Sequence, residues 1–103
     1  MARFLVVNRK DNVAVAVSDI PAGTKVTVDV GEGSVEVEVK DDIPFGHKFA
    51  LRDINVGEAV VKYGEVIGVA SKPIRAGEHV HVHNVVSTFV WKSMKEGGRV
   101  ERA

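Results

Sequence analysis

Valine alternates with polar residues along much of the chain, in the stretches VAVAV, KVTVDV, SVEVEVK and HVHVHNV. A period of two places successive side chains on opposite faces of an extended strand, so each stretch predicts a strand with one buried face. The segment KVTVDVGEGSVEVEVK predicts a β-hairpin that turns at residues 31–33 and buries valines of both strands. These valines are Val26, Val28, Val30, Val35, Val37 and Val39.

The opening segment FLVVNRKDNVAVAV predicts a second hairpin, with its polar turn at residues 8–12. Helical periodicity is confined to STFVWKSM, which predicts a helix of a turn or two. The hydrophobic pattern therefore predicts a mostly β fold with little helix.

A phrase recurs four times along the chain, as DIPAGTKV (19–26), DIPFGHKF (42–49), DINVGEAV (53–60) and PIRAGEHV (73–80). Each copy predicts a buried isoleucine, a tight turn with Pro at its second position and Gly at its last, and then a new strand. The spacing between copies is uneven, which excludes a solenoid of fixed period. We expect a recurring corner in a compact, much-turned β domain.

Three of the four histidines lie in GEHVHVHNV, residues 77–85. If this segment is one continuous strand, His79, His81 and His83 share a face, while Val80 and Val82 point into the core. Neighbouring histidines then stand about 7 Å apart and the outer pair about 14 Å apart. Three interpretations stay open: a solvent-facing strand, a row that binds substrate, or a metal site.

The metal-site interpretation is limited by the number of histidines that one ion can reach. With metal–nitrogen bonds of about 2 Å, one ion takes two neighbouring histidines but not easily all three. A mononuclear site therefore needs His79 with His81, or His81 with His83, and a further ligand from elsewhere. His47, which follows one of the corners, is the candidate for that ligand.

Other polar residues are candidates for substrate contact. The segment KYGEVIG places Lys62 and Tyr63 just before Gly64, where a cation and a phenol can meet a carboxylate or a hydroxyl group. The full set of these further candidates is Lys48, Arg52, Lys62, Tyr63, Glu65 and Asn84.

The composition limits the classes of partner that the charge of the chain favours. The 103 residues suit one domain, and 14 Lys and Arg balance 14 Asp and Glu, so no overall field favours nucleic acid or an anionic membrane. The balance also offers no strong repulsion against self-association, which leaves a homo-oligomer open.

No cysteine is present, so any metal must use histidine or oxygen ligands. The N-terminal apolar run is too short for a signal peptide or a membrane span, and we expect a soluble, cytoplasmic protein.

Residues 43–85 closely resemble the SAF domain of the altronate and galactarate dehydratase family. The match rests on GHKFALRDI, GEAVVKYGEVIG and GEHVHVHN, which follow one another in the family's order. The resemblance implies a β-clip fold, a compact domain of bent hairpins, which we place at residues 1–92 with a polar tail at 93–103. It also implies a role in removing water from sugar acids.

In this family the large C-terminal part is expected to hold a divalent metal, iron or another, and most catalytic groups. We therefore expect a small subunit that docks on a large catalytic dehydratase subunit and acts on a small hydroxy acid. The alternatives are the small subunit of a sulfolactate sulfo-lyase, which breaks a carbon–sulfur bond, and a free-standing carbohydrate-binding or adaptor domain. Aromatic candidates for the docking surface are Phe45, Phe49, Phe89 and Trp91.

The chemistry of elimination distributes candidate roles over the polar residues. His81 and His83 are the candidate catalytic residues, and His79 with His81 are the candidate metal ligands. The candidate substrate-binding residues are His47, Lys48, Arg52, Lys62, Tyr63 and Asn84.

Overall fold

The computed structural model describes residues 3–29 and 32–95, and within them it is mostly β, as the hydrophobic pattern predicted. The strands are β1 (Phe4–Leu5), β2 (Val13–Ala16), β3 (Lys25–Asp29), β4 (Ser34–Glu38), β5 (Lys48–Ala50), β6 (Ala59–Lys62), β7 (Glu65–Ala70), β8 (His79–Val80) and β9 (Val85–Val86), and the helix is α1 (Thr88–Lys95). They form three antiparallel sheets with strand orders β1-β2-β5-β8, β3-β4 and β6-β7-β9.

Both predicted hairpins form. Strands β1 and β2 pair antiparallel, and β3 pairs with β4 so that Val26 lies opposite Val37 and Val28 opposite Val35. Val28 is 1% exposed, whereas Val35 is 42% exposed and does not complete the predicted apolar face. Val30, which was also predicted to face the core, lies outside the described residues.

The four corners pair two by two around their isoleucines. Ile20 and Ile43 exchange two backbone hydrogen bonds of 2.9 and 2.8 Å, and Ile54 and Ile74 exchange two of 2.7 and 2.9 Å. Each isoleucine is 1% exposed, and the two pairs belong to two separate hydrophobic clusters. The corner repeat is therefore a pairing device at the centre of each cluster.

In each corner, the observed turn is shifted by one residue relative to the predicted turn. The backbone nitrogen of Thr24 donates to the carbonyl oxygen of Pro21 at 3.2 Å, so Pro21 is the first residue of its turn and not the second. Gly23 is the third residue, with φ of +90°, and Gly77 in the fourth corner has φ of +89°. A type II turn needs this left-handed φ at its third position, which explains why glycine stands there.

The segment predicted as one strand from residue 77 ends much earlier. Strand β8 stops at Val80, and residues 81–84 form a turn in which the backbone nitrogen of Asn84 donates to the carbonyl oxygen of His81 at 3.1 Å. Val80 is buried as predicted, but Val82 is 81% exposed. The prediction of a continuous strand was wrong beyond Val80.

Helix α1 confirms the predicted short helix. The Ser87 hydroxyl oxygen accepts a hydrogen bond from the backbone nitrogen of Val90 at 3.1 Å, as an N-cap residue does. The helix runs to Lys95 and so crosses the predicted start of the tail at residue 93, whereas residues 96–103 of that tail lie outside the described part. In the part of the chain that the structure describes, no helix has the length and apolar character needed to span a bilayer.

The aromatic docking candidates divide between surface and core. Phe45 and Phe89 are exposed, Phe49 is fully buried, and Trp91 is half-buried with its ring against Gly57. Phe49 is therefore a core residue and not part of a docking surface.

Candidate functional site

All four histidines meet at one end of the β5-β8 pair, and we call His47, His79, His81 and His83 the histidine cluster. The antiparallel register sets Phe49 opposite His79, which brings His47, just before β5, alongside the end of β8. The ring centroids of His47 and His81 lie 4.5 Å apart and those of His47 and His79 lie 5.1 Å apart. His47, the candidate ligand from elsewhere in the chain, thus lies across the sheet from the histidine row.

The turn at residues 81–84 changes the spacing of the row. It folds His83 back so that its ring centroid lies 5.3 Å from that of His79, not about 14 Å as an extended strand would give. The rings of His79 and His81 are 5.6 Å apart and nearly parallel, at 13°. The histidines form a compact stack because the backbone leaves the strand direction after Val80.

Two polar side chains hold this turn and the end of β8 in place. The Asn84 amide donates to the carbonyl oxygen of His79 at 2.9 Å and accepts from the backbone nitrogen of His81 at 3.0 Å. The Asp41 carboxylate accepts from the backbone nitrogen of His79 at 2.9 Å. Asn84 is buried, so its place is beneath the histidines, where it shapes the turn, and not at a surface where substrate binds.

Electrostatics favours the neutral imidazoles of His79 and His81. Burial lowers the pKa of His79, and the neighbouring His47, His83 and His81 lower it further, although the Asp41 carboxylate opposes them. Burial also lowers the pKa of His81, followed by the charges of His47 and Lys48. Neutral rings keep a nitrogen lone pair that can accept a proton or ligate a metal.

A groove of about 280 Å³ opens beside the cluster. It is lined by His81 and Lys48, together with Ile67, Val82, Val85, Val86 and Ser87. Burial lowers the pKa of Lys48, and the positive charge of Lys62 lowers it further.

Lys62 and Tyr63 lie at the turn of the β6-β7 hairpin and are not among the residues that line this groove. Lys62 pairs with Glu65, which leaves Tyr63 and Gly64 as a two-residue turn with φ of 56° and 78°. The Lys62 ammonium nitrogen lies 5.1 Å from the centroid of the Tyr63 ring. Tyr63 is thus an exposed turn residue whose ring is stacked against a cation.

Arg52 lies elsewhere. Its guanidinium contacts the Glu58 carboxylate at 2.9 Å and lines a separate groove with Asp11 and Val35. The structure therefore does not place Arg52 in the groove of Lys48 and His81, where the sequence interpretation had grouped it.

The three closest ligating nitrogens of the cluster suit a metal ion. Those of His47, His79 and His81 all lie within 4.8 Å of one another. Imidazole is a common ligand for zinc, copper, nickel and iron. The structure thus brings together the two histidines predicted as ligands and the one predicted to join them from elsewhere.

Asp41 is the residue of this site that the sequence interpretation missed. Its contact with His79 spans 38 positions, and local periodicity carries no signal for such a contact.

The fold is thus a small β domain built on paired glycine corners around two hydrophobic clusters. A histidine cluster and a lysine lie beside one of its surface grooves. The family model described as the altronate/galactarate dehydratase SAF domain matches residues 2–88, and the chain belongs to this family. The resemblance found in the sequence is thereby confirmed.

Relatives differ in how much of their length this domain occupies. The chain is 45% identical over 84 residues to altronate dehydratase of Bacillus subtilis (strain 168) and 38% identical over 87 residues to galactarate dehydratase (L-threo-forming) of Escherichia coli (strain K12). Each match covers 82% of this chain but only 16% and 15% of those relatives. The chain is also 46% identical over 85 residues to (2R)-sulfolactate sulfo-lyase subunit alpha of Chromohalobacter salexigens, a match that covers 80% of this chain and 90% of that subunit.

Proposed function

We propose that this chain is the SAF-domain subunit of a sugar-acid hydro-lyase, docks on a separate large catalytic chain, and contributes substrate-binding and proton-transfer groups to the shared active site. The substrate class is an altronate- or galactarate-like hydroxy acid. The observation that carries the proposal is the groove in which Lys48 lies beside His81, on a domain whose relatives include dehydratases of these acids.

Elimination of water from a hydroxy acid sets three requirements. The carboxylate must be held, a proton must leave the carbon next to it, and the departing hydroxyl must receive a proton. Lys48 and Lys62 suit the first requirement, because their charges lie close enough to lower the pKa of Lys48. In the proposal Lys48 binds the substrate carboxylate in the groove, and the charge of Lys62 adds to the attraction.

The histidines suit the proton transfers. His81 lines the groove and its pKa is lowered, so a neutral ring is available to accept a proton from a bound acid. His83, exposed on the same turn, is the second candidate for proton transfer. Behind them, Nδ1 of His47 and Nε2 of His79 are 2.9 Å apart, a hydrogen bond that orients both rings.

The divalent metal expected for the family would be held mainly by the large chain, where it would supply Lewis-acid stabilisation of the departing oxygen. The steps given to this chain do not depend on that metal. Its own residues hold the carboxylate and move protons at the groove.

Carbon–sulfur elimination is the second candidate function. It is favoured by the sulfo-lyase subunit alpha, in which this domain makes up 90% of the protein. A pair of lysines binds sulfonate and carboxylate oxygens alike. We propose the dehydratase role first, because relatives named for that activity match the chain at similar identity.

The test is reconstitution. The chain, carrying an affinity tag other than polyhistidine, is used to capture the large chain from native extract, and the complex is assayed for dehydration of altronate and galactarate and for sulfite release from sulfolactate. Dehydration that requires both chains supports the proposal. Sulfite release alone establishes the second candidate, and recovery of the chain alone, with ligand binding but no partner, indicates a free-standing binding domain.

Variants of the same complex test the residue roles. We expect His81→Gln to lower kcat by about 100-fold or more, as loss of a proton-transfer group does. Lys48→Gln should mainly raise KM, because it removes a contact to the carboxylate. Arg52→Gln is the matched control, since its guanidinium is paired with Glu58 in a different groove and its loss should leave both constants nearly unchanged.

A further inference from the structure

We propose that His47, His79 and His81 form a binding site for a divalent transition-metal ion on this domain itself. The proposal goes beyond the function above, which assigns the metal mainly to the large chain. With the ion bound, His81 is a ligand, and proton transfer falls to His83, the second candidate for that role. It rests on the geometry of three imidazole rings that two backbone segments bring together.

The distances are close to those that a coordinated ion needs. Metal–nitrogen bonds of about 2.0 Å in tetrahedral geometry put ligand nitrogens about 3.3 Å apart. Nδ1 of His47 and Nε2 of His79 are 2.9 Å apart, and the ligating nitrogens of all three residues lie within 4.8 Å of one another. Small rotations of half-exposed rings close the remaining gap without movement of the backbone.

The backbone holds the three rings before any ion arrives. Pairing of β5 with β8 fixes His47 against His79, and the Asn84 amide fixes His79 relative to His81. The Asp41 carboxylate secures the backbone of His79 from the other side. Such preorganisation reduces the ordering that an ion must impose on its ligands.

The donor set selects the class of ion. Three imidazoles without thiolate or carboxylate ligands suit Zn²⁺, Co²⁺, Ni²⁺ or Cu²⁺, whereas Mg²⁺ and Ca²⁺ prefer oxygen ligands. The chain has no cysteine, and the nearby Asp41 carboxylate is engaged with a backbone nitrogen. Three protein ligands leave a fourth position for water or for an anion, beside the groove that His81 and Lys48 line.

A bound ion must replace an existing interaction. In its absence, the contact between His47 and His79 is an N–H···N hydrogen bond, in which one neutral ring donates and the other accepts. Binding therefore requires the donor ring to change tautomer, so that its proton moves to its other nitrogen and both facing nitrogens are free to bind the ion.

The experiment uses the untagged chain alone, stripped of metal with a chelator that is then removed. Co²⁺ is titrated while ligand-field absorption is recorded, and Zn²⁺ binding is measured by calorimetry. We expect one ion per chain and a four-coordinate Co²⁺ spectrum. His47→Gln and His81→Gln should each weaken Zn²⁺ binding by more than the 10- to 100-fold or so that loss of a supporting contact costs.

His83→Gln is the matched control, because it removes a histidine of the same cluster that is not one of the three proposed ligands. It should bind Zn²⁺ as the wild type does. Loss of binding equal to that of His81→Gln would overturn the assignment, as would undetectable wild-type binding or an affinity that no histidine variant changes.

Two further points keep the result unambiguous. Circular dichroism in the presence of chelator checks that each variant is folded, and histidine NMR spectra of the wild type show directly which rings shift on addition of Zn²⁺, even if a variant unfolds. Shifts confined to residues other than the three would contradict the proposal. Since neither a partner chain nor a substrate is present, failure here is separate from failure of the lyase function.

Discussion

At the scale of single residues, Asp11 joins the β1-β2 and β6-β7 hairpins. Its carboxylate accepts hydrogen bonds from the backbone nitrogens of Gly64 at 2.8 Å, Asn8 at 3.1 Å and Val7 at 3.2 Å. Gly64 belongs to the β6-β7 turn, whereas the other two precede β2. One nearly buried carboxylate thus satisfies donors from two turns that are distant in the sequence.

Asn12, the next residue, continues this connection into the core. It is 1% exposed, donates from its side chain to the carbonyl oxygen of Ala59 at 2.8 Å, and accepts from the backbone nitrogen of Val61 at 2.8 Å. A buried amide with both ends paired fixes the position of β6 relative to β2. The sequence pattern predicted only a polar turn here.

Asp11→Asn should reduce the free energy of unfolding in a pH-dependent way. Burial alone would raise the pKa of Asp11, but the backbone N–H groups of Gly64, Asn8 and Val7 outweigh it and hold the pKa below its ordinary value. The contribution is therefore complete above the unfolded-state pKa of about 3.9 and is lost as pH falls through the lower folded-state pKa. At neutral pH we expect a loss of about 1–3 kcal/mol, because an amide N–H₂ then faces backbone donors.

Denaturant unfolding at a series of pH values measures this effect. The difference between wild type and Asp11→Asn should shrink in acid, and Glu36→Gln, at an exposed carboxylate on β4, should show little difference at any pH. A difference that stays constant into strong acid would show that the charge of Asp11 is not what stabilises the fold.

At the scale of elements, the four corners share one backbone conformation but not one environment. Gly23 and Gly77 occupy the same turn position with φ of 90° and 89°. A Cβ built on Gly23 has no neighbour within 4 Å, whereas one on Gly77 collides with the carbonyl oxygen of Glu38 and lies 3.3 Å from the Cα of Val39. The fourth corner is therefore packed against the chain that leaves β4, while the first is open.

Replacing each of these two glycines with alanine distinguishes the energetic cost of backbone strain from the cost of steric overlap. Gly23→Ala should cost about 1–2 kcal/mol, the penalty for a left-handed φ in a residue with Cβ. Gly77→Ala carries the same strain and about 1–3 kcal/mol more for the overlap, because the neighbours are backbone atoms that cannot rotate away. Equilibrium unfolding of both variants measures the difference, and equal losses would contradict the close approach at Gly77.

The elements also show which parts of the fold the sequence could predict. Hairpins and corners were predictable because each depends on local alternation and on turn residues a few positions apart. The register of β5 against β8 was not, since His47 and His79 are 32 positions apart and alternation carries no information about partners. The predicted strand ends at Val80, although the alternating pattern continues beyond it. It ends there because the Asn84 side chain forms hydrogen bonds with the backbone of His79 and His81 and stabilises a turn.

The same distinction explains the candidate site. The histidines were identified from their spacing, and His47 was proposed as the distant partner, but the distances between the rings depend on the turn at residues 81–84. Arg52 was grouped with them as one more cation, yet in the fold Glu58, six positions along, pairs with it. Residue type indicated chemistry, and only the three-dimensional path of the backbone decided which residues share a surface.

At the scale of the whole molecule, the candidate site lies where two sheets come together. Lys48 and His79 belong to the sheet β1-β2-β5-β8, whereas Ile67 and Val85 on the opposite side of the groove belong to β6-β7-β9. The two sheets share one hydrophobic cluster, to which Val80 of the first and Val60 and Ala70 of the second belong. A groove between two sheets held together in this way can be completed by a third surface, which in the proposed lyase is the large chain.

Val82 gives a direct test of that arrangement. It is 81% exposed on the turn that carries His81 and His83, and it lines the groove. An apolar side chain so exposed at a docking face becomes buried in the complex, and a charge in its place is then desolvated without a partner. We expect Val82→Glu to weaken binding of the large chain at least about tenfold, which corresponds to about 1.4 kcal/mol.

Val35→Glu is the matched control, because Val35 is also an exposed valine but lies on the separate β3-β4 sheet. Binding of each variant to the captured large chain is measured by biolayer interferometry, after circular dichroism has shown that both are folded. If Val35→Glu weakens binding and Val82→Glu does not, the large chain docks on the β3-β4 hairpin and leaves the histidine cluster uncovered. That result would also contradict the proposed proton-transfer roles of His81 and His83, because a substrate bound to the large chain would not reach them.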